Sequence, residues 1–238
     1  MTLSTFPAFS RKKTCAKIQN HKGVFYMKVL LFNGSPNKEG CTYTALSEIA
    51  QTLKEESIES EIFHVGNEAI ASCRACGACT KLGKCVINDK VNEFVELAEK
   101  CDGFIIGSPV HYAAASGATT AFLDRAFYSA SRSGKKVFPH KPGTAIASAR
   151  RAGTTATLDQ LNKYFTINQM ILVSGRYWNM VHGKTPDEVK QDLEGMQNMR
   201  FLARNFAWTL KCIEAGKKMG VELPEREQNI FTNFINKR

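Results

Sequence analysis

The chain has no run of eighteen apolar residues, which excludes a helical segment built to cross a membrane. Both common phosphate fingerprints are missing. Without G-x-x-x-x-G-K-[ST] there is no P-loop, and without G-x-G-x-x-G a dinucleotide pyrophosphate is not the first expectation. No recognised nucleic-acid-reading module occurs, so the net charge of +10 is not taken as a nucleic-acid footprint. Acidic residues are absent from the first 28 positions, which carry Arg11, Lys12, Lys13, Lys17, Lys22 and Lys28. The rest of the chain holds 26 basic against 22 acidic residues, a modest excess that suits an anionic small molecule. Internal repeats and low-complexity tracts are also lacking.

Residues 1–26 lack a continuous apolar stretch followed by a small-residue cleavage site, so they do not read as a secretory signal. Their composition also suits an organelle transit peptide. The plainest reading is a basic, flexible extension or a mis-assigned start, with Met27 opening the domain at "MKVLLFNGSP". Without an export signal a reducing, cytoplasmic location is expected. There, eight cysteines point to metal or redox chemistry rather than structural disulfides.

Short apolar runs alternate with amphipathic helix-length stretches. "KVLLFN" (28–33), "SEIFHV" (60–65), "GFIIGSPV" (103–110), "GTAIASA" (143–149) and "QMILVSGRYW" (169–178) read as strands. In the first helix Tyr43, Leu46, Ile49, Ala50 and Leu53 share a face. In "DKVNEFVELAEKC" (89–101) Val91, Phe94, Val95 and Ala98 do so. A helix from Thr185 to about Lys218 closes the chain, with Thr185 as N-cap, Pro186 at the first helical position and Glu188 three residues after the cap. Its stripe of Met199, Leu202, Phe206, Leu210 and Ile213 reads as core, with a subunit interface as the alternative. Strands separated by helices predict an α/β domain, a doubly wound five-stranded parallel sheet with helices on both faces. Ligands of that architecture bind beyond the carboxyl ends of the strands, which directs attention to the loops after strands one, three and four.

The first loop, "NGSPNKEGCTYT" (33–44), offers the hydroxyls of Ser35, Thr42 and Thr44. Gly34 and Gly40 allow close backbone approach, and a helix N-terminus follows. Amides, hydroxyls and a helix dipole suit a phosphate. In the second, "GSPVHYAAASGATTAFLDR" (107–125), small residues after Pro109 leave room for a flat ring bordered by Val110, His111 and Tyr112. Asp124 and Arg125 read as a mutual pair or as solvated charges. In the third, "ASARRAGTTATLDQL" (147–161), Ser148, Arg150, Arg151 and Gly153 lie between strand and helix, with Thr154 and Thr155 as the cap. Adjacent guanidiniums there suit a reduced, anionic flavin ring or a nicotinamide cofactor's phosphate, with solvated surface arginines as the plain alternative.

"CRACGACTKLGKC" places Cys73, Cys76, Cys79 and Cys85 within thirteen residues as C-x2-C-x2-C-x5-C. Steps of three residues with Gly77 and Gly83 between let four thiolates wrap a [4Fe–4S] cube. Zinc and an empty or disulfide-forming thiol loop are the alternatives. Arg74, Lys81 and Lys84 would offset thiolate charge in any of these. Cys15, Cys101 and Cys212 read as bystanders, with Cys101 ending a helix and Cys212 on the apolar side of the last one.

The three loops together resemble the flavin-binding loops of the NADPH-dependent FMN reductase family, which has a flavodoxin-like fold. The cysteine run is similar to that of the iron–sulfur flavoproteins within it. The resemblance covers about residues 27–182; segment 183–238 is helical and packs on the domain or at a subunit interface. It implies non-covalent FMN, with the phosphate on Ser35, Asn37, Gly40, Thr42 and Thr44. The ring would lie against Pro109, Val110, His111 and Tyr112, its far edge meeting Ser148, Arg150, Arg151, Gly153, Thr154 and Thr155. His111, Tyr112 and Arg150 would orient ligands and stabilise reduced flavin. Many relatives carry Arg where this chain has Asn37, a change that removes charge from the phosphate site. Cys41 likewise stands where Asn is frequent. NAD(P)H is implied as reductant and a small molecule as acceptor. The alternatives are an electron carrier fed by ferredoxin through the cluster, and a redox sensor. "GRYWNMVHG" (175–183) shapes a substrate face or merely packs, and the chain is expected to be a homodimer or homotetramer.

Overall fold

A computed structural model describes residues 27–225 together with 227, 228, 230 and 232. The basic segment 1–26, and Cys15 with it, lies outside the described residues. The elements in chain order are β1 (Lys28–Asn33), α1 (Cys41–Glu55), β2 (Glu59–His64), α2 (Cys79–Leu82), α3 (Lys90–Ala98), β3 (Gly103–His111) and β4 (Ala114–Ala115). Then follow α4 (Gly117–Arg132), β5 (Pro142–Ala149), α5 (Thr154–Ile167), β6 (Ile171–Leu172), β7 (Met180–His182), α6 (Pro186–Gln191) and α7 (Leu193–Lys218).

β1 sits centrally, parallel to β2 on one side and to β3 on the other, and its continuous apolar run follows from burial on both faces. Alternate residues feed two cores. Leu30 and Phe32 enter one with α3, α4 and α5, whereas Val29 and Leu31 enter the other with α1, α6 and α7. In the first core Phe32, Phe94 and Phe122 meet with ring centroids 4.7–5.6 Å apart in tilted and edge-on contacts. The strand order β2-β1-β3-β5-β6, parallel throughout, is that of a flavodoxin-like doubly wound sheet. β4 adds a short antiparallel ladder at the end of β3.

The fifth strand differs from the expected 169–178. β6 pairs only with Pro142 and Gly143, the chain leaves the sheet, and β7 returns to pair with Ala147–Ala149. Two buried asparagines replace the missing ladder. Asn179 donates to Thr144 Oγ1 (3.0 Å) and Ala145 O (3.2 Å) and accepts from Gly175 N (3.1 Å). Asn198 accepts from Arg176 N (2.8 Å) and Tyr177 N (3.1 Å) and donates to Trp178 O (2.9 Å).

The closing helix is not continuous either. Thr185 caps α6 through Glu188 N, and Pro186 takes the first helical position. The chain breaks at Asp192, whose side chain accepts from Gly195 N (2.9 Å) to start α7 and from His182 N (2.7 Å) to hold β7. Met199, Leu202, Phe206 and Leu210 are buried in the second core. Cys212 is exposed, not on the apolar side, and Tyr43 is only half-buried on α1.

Candidate functional site

The ends of β1, β3 and β5 come together at one rim. Gly34 N donates to Gly107 O (2.8 Å), while the hydroxyls of Ser116 and Thr119 from the start of α4, 2.8 Å apart, each lie 3.1 Å from Gly34 O and share their two protons with it and with each other. A Cβ on Gly34 would stand 2.0 Å from Thr119 Oγ1, so only glycine fits this junction. Thr42 and Ser148 link the first loop to the third through a buried hydroxyl pair at 2.8 Å. Gly153 turns with φ +92° against the second loop, where a Cβ would meet Val110 Cγ1 at 2.7 Å.

Within the first loop Asn33 Oδ1 accepts from Ser35 N (3.1 Å), and Ser35 Oγ accepts from Asn37 N (3.1 Å). Ser35 is nearly buried and its hydroxyl proton stays available to an anionic oxygen. Gly40 caps α1 with no side-chain bond, leaving first-turn amides to an outside acceptor. Asn37 is exposed on the loop. Thr44 contributes less than its sequence position suggests, because its hydroxyl donates to Gly40 O (3.1 Å) one turn back. These donors fit a phosphate from the amide end of α1.

The second loop presents half-buried Pro109 and Val110, then exposed His111 and Tyr112. Tyr112 is wholly solvent-exposed at φ +61°, at the hairpin tip where β3 turns back into β4. In the third loop Arg150 and Arg151 are exposed and make no ion pair among the described residues. The α5 cap is Gly153, not Thr154 or Thr155. Thr154 is buried, its hydroxyl 3.2 Å from Met180 Sδ, and Thr155 is exposed. His182 on β7 contacts Arg151 O (3.0 Å). Tyr177 and Trp178 are exposed and meet edge-on at 4.6 Å, so they do not pack inside the domain.

The cysteine run lies between β2 and α3, and at the end of β2 the His64 ring is 2.8 Å from Ser35 O in the first loop. Cys73, Cys76, Cys79 and Cys85 line one pocket with Arg74, Arg125 and Tyr128. All four are free thiols. Cys79 is buried, and that burial is the main influence pushing its thiol up, with the Cys73 and Cys76 charges adding to it. Among the described residues no three His, Cys, Asp or Glu side chains stand close enough together to hold a metal ion. The donor chemistry nevertheless suits a thiolate-bound group: the pocket's wall offers four sulfurs, no carboxylate or imidazole, and two guanidiniums to balance charge. Cys73 and Cys76 are exposed, in a stretch that donates no backbone hydrogen bond among the described residues. That leaves their sulfurs room to move onto a centre.

Sequence reasoning missed Arg125. It pairs neither with Asp124 nor with solvent, but is buried (1% exposed) and bound to Asp89 at 2.7 and 2.8 Å. Asp124 instead accepts from Tyr164 OH. The one local hint was a basic residue at a helix position flanked by Leu123 and Ala126, both buried.

Comparison with known proteins agrees with this geometry. Residues 27–185 match the NADPH-dependent FMN reductase family. An iron-sulfur flavoprotein of Methanocaldococcus jannaschii is 32% identical over 197 residues, covering 79% of this chain and all of the relative. One of Methanosarcina thermophila is 27% identical over 193 residues, covering 80% and 99%. Among solved structures, RosB with a bound 8-demethyl-8-formylriboflavin-5'-phosphate intermediate superposes with a TM-score of 0.61 at 13% identity, covering 89% of this chain and 93% of its own. A flavone reductase gives 0.57 at 18% identity, covering 79% and 64%. At those identities the structures establish the fold, while the matched family and the first relative establish kinship. The chain belongs to the NADPH-dependent FMN reductase family, as an FMN-binding flavoprotein oxidoreductase close to the iron-sulfur flavoproteins.

Proposed function

We propose that the chain draws electrons from NAD(P)H and passes them to a small-molecule acceptor of the quinone or nitroaromatic type. In this reading a [4Fe–4S] cluster on Cys73, Cys76, Cys79 and Cys85 is a second redox centre. The observation carrying it is that three strand-end loops meet at one rim, in a chain that also gathers four free thiols around one pocket. Bound FMN supplies hydride and single-electron chemistry. Ser35 and the open first turn of α1 bind its phosphate, and the exposed Arg150 and Arg151 bring positive charge to the ring's edge. His111 and Tyr112, exposed at the lip, orient the incoming ligand. Exposed Phe201 and Trp208, seven residues apart on α7, support assembly as a homodimer or homotetramer.

One feature favours a second reading, a carrier fed by ferredoxin. Exposed Cys73 and Cys76 lie among Arg74, Lys81 and Lys84, a basic surface suited to an acidic one-electron donor. The test is an anaerobic absorption spectrum with iron and sulfide counted per FMN, followed by steady-state NADH and NADPH oxidation with a quinone. Turnover with the quinone supports the enzyme. A loaded protein that oxidises neither nicotinamide but accepts electrons from reduced ferredoxin supports the carrier. No flavin after reconstitution with FMN overturns both.

A further inference from the structure

The pocket's four cysteines are held very unequally. Cys85 is fixed at both backbone and sulfur. Asn92, buried on α3, accepts from Cys85 N (3.1 Å) and donates to Cys85 O (3.0 Å) and Ile87 O (3.3 Å). Arg125 donates to Cys85 Sγ from both Nε and Nη2, each at 3.4 Å. By contrast Cys73 and Cys76 are exposed, separated by Ala75 at φ +52°.

Arg125 reaches further than Cys85. Its fork binds Asp89 bidentately, Nη1 also donates to Ala71 O (3.3 Å), and the second Nη2 proton is shared between Cys85 Sγ and Ile87 O (3.0 Å). Ala71 precedes the first cysteine, whereas Ile87 and Asp89 follow the last. One side chain on α4 therefore ties both ends of the cysteine segment to the domain. Among the described residues it is the one donor that reaches a backbone carbonyl between Asn67 and Cys76. Guanidinium N–H groups also cannot be titrated away at ordinary pH, so they remain donors whatever the state of the sulfur.

We infer that Arg125 is the positioning residue of the thiol pocket. It holds Cys85 as the preformed ligand onto which Cys73, Cys76 and Cys79 close, and its N–H···S bonds raise the reduction potential of the group bound there. The inference rests on the cluster reading above. Hydrogen bonds to a ligating sulfur stabilise the more negative, reduced state, so their loss lowers the potential. Outer partners of metal ligands typically contribute 10- to 100-fold in metal affinity.

The test uses the full chain and two variants. R125M/D89N removes the buried guanidinium together with its half-buried carboxylate partner, while keeping bulk at 125 and a cap acceptor for Val91 N, which Asp89 Oδ1 now supplies at 3.1 Å. R125K keeps the charge but loses the fork, and guards against misfolding of the double variant. Co2+ is titrated into metal-free protein and followed by its thiolate charge-transfer band. Separately, each protein is reconstituted with iron and sulfide, and the cluster and flavin midpoint potentials are measured by spectroelectrochemistry. R125M/D89N is expected to bind Co2+ roughly 10- to 100-fold more weakly, with a more negative cluster potential and an unchanged flavin potential. R125K should move the same way by less. A loaded wild type whose variants match it in Co2+ affinity and cluster potential overturns this inference alone. Wild-type protein that takes up neither Co2+ nor iron and sulfide overturns the cluster reading together with it.

Discussion

Gly34→Ala tests whether the junction of the first two loops is as tight as described. The new methyl would stand 2.0 Å from Thr119 Oγ1 and 2.9 Å from Gly107 O. Thr119 must then leave the hydroxyl cluster in which it contacts Gly34 O (3.1 Å) and Ser116 Oγ (2.8 Å). Each bond contributes about 1 kcal/mol net, and forcing a methylene into a packed site costs about 1–3 kcal/mol. The expected destabilisation is about 3–5 kcal/mol, or roughly 10 °C in Tm for a domain of this size. Because the same junction anchors the phosphate loop, FMN affinity should fall at least about tenfold, a loss of about 1.4 kcal/mol. Urea unfolding and flavin fluorescence titration read the two effects. Thr119→Ala alone should cost about 1–2 kcal/mol. Combined with Gly34→Ala it removes the nearest clash, so the double variant should be less destabilised than the sum by about 1–2 kcal/mol, within the range of coupled neighbours. Strict additivity, or a Gly34→Ala protein within about 0.5 kcal/mol of wild type, refutes the packing argument.

Three further outcomes follow from the structure. Replacing Arg150 and Arg151 with Ala should weaken FMN binding about tenfold, or about 1.4 kcal/mol, while leaving the melting temperature of the FMN-free protein unchanged, because both side chains are exposed and make no ion pair among the described residues. Asp192→Ala should cost about 2–3 kcal/mol in urea unfolding, since one carboxylate both caps α7 and holds His182 N. Burial pushes the Cys101 thiol above its ordinary 9.0, so the unfolded chain loses that proton first and stability falls as pH rises past 9. Nearby Lys141, lowered by burial, acts oppositely between its folded value and 10.5, and Cys101→Ala should lessen the alkaline fall without abolishing it, because burial raises the Cys41 and Cys79 thiols in the same direction.

The central strands were legible because a parallel strand buried on both faces must be apolar throughout, as in "KVLLFN". The three loops were legible because the topology puts strand carboxyl ends at one rim. What sequence could not reveal was which partner each polar group finds. Arg125 is next to Asp124 in the chain, yet its carboxylate comes from Asp89, 36 residues away. Thr42 and Thr44 looked equivalent; folding pairs one with Ser148 and turns the other back onto its own helix. The expected fifth strand is as apolar as the others. It is interrupted by Asn179 and Asn198, whose bonds to distant backbone have no local signature.

That interruption has a consequence for how the protein can change. An unbroken outer strand would expose a row of free amides and carbonyls along its length, an invitation to pair with another sheet. Here the row is cut, and the excursion is held by side chains reaching in from β7's flank and from α7. Residues 174–178, including exposed Tyr177 and Trp178, thus form a cassette whose frame is independent of its contents. The side chains of Tyr177 and Trp178 can be exchanged, and with them the surface beside the third loop, without renegotiating the register of the sheet, whereas Gly175 is fixed because a Cβ there would stand 2.6 Å from Asn198 Oδ1.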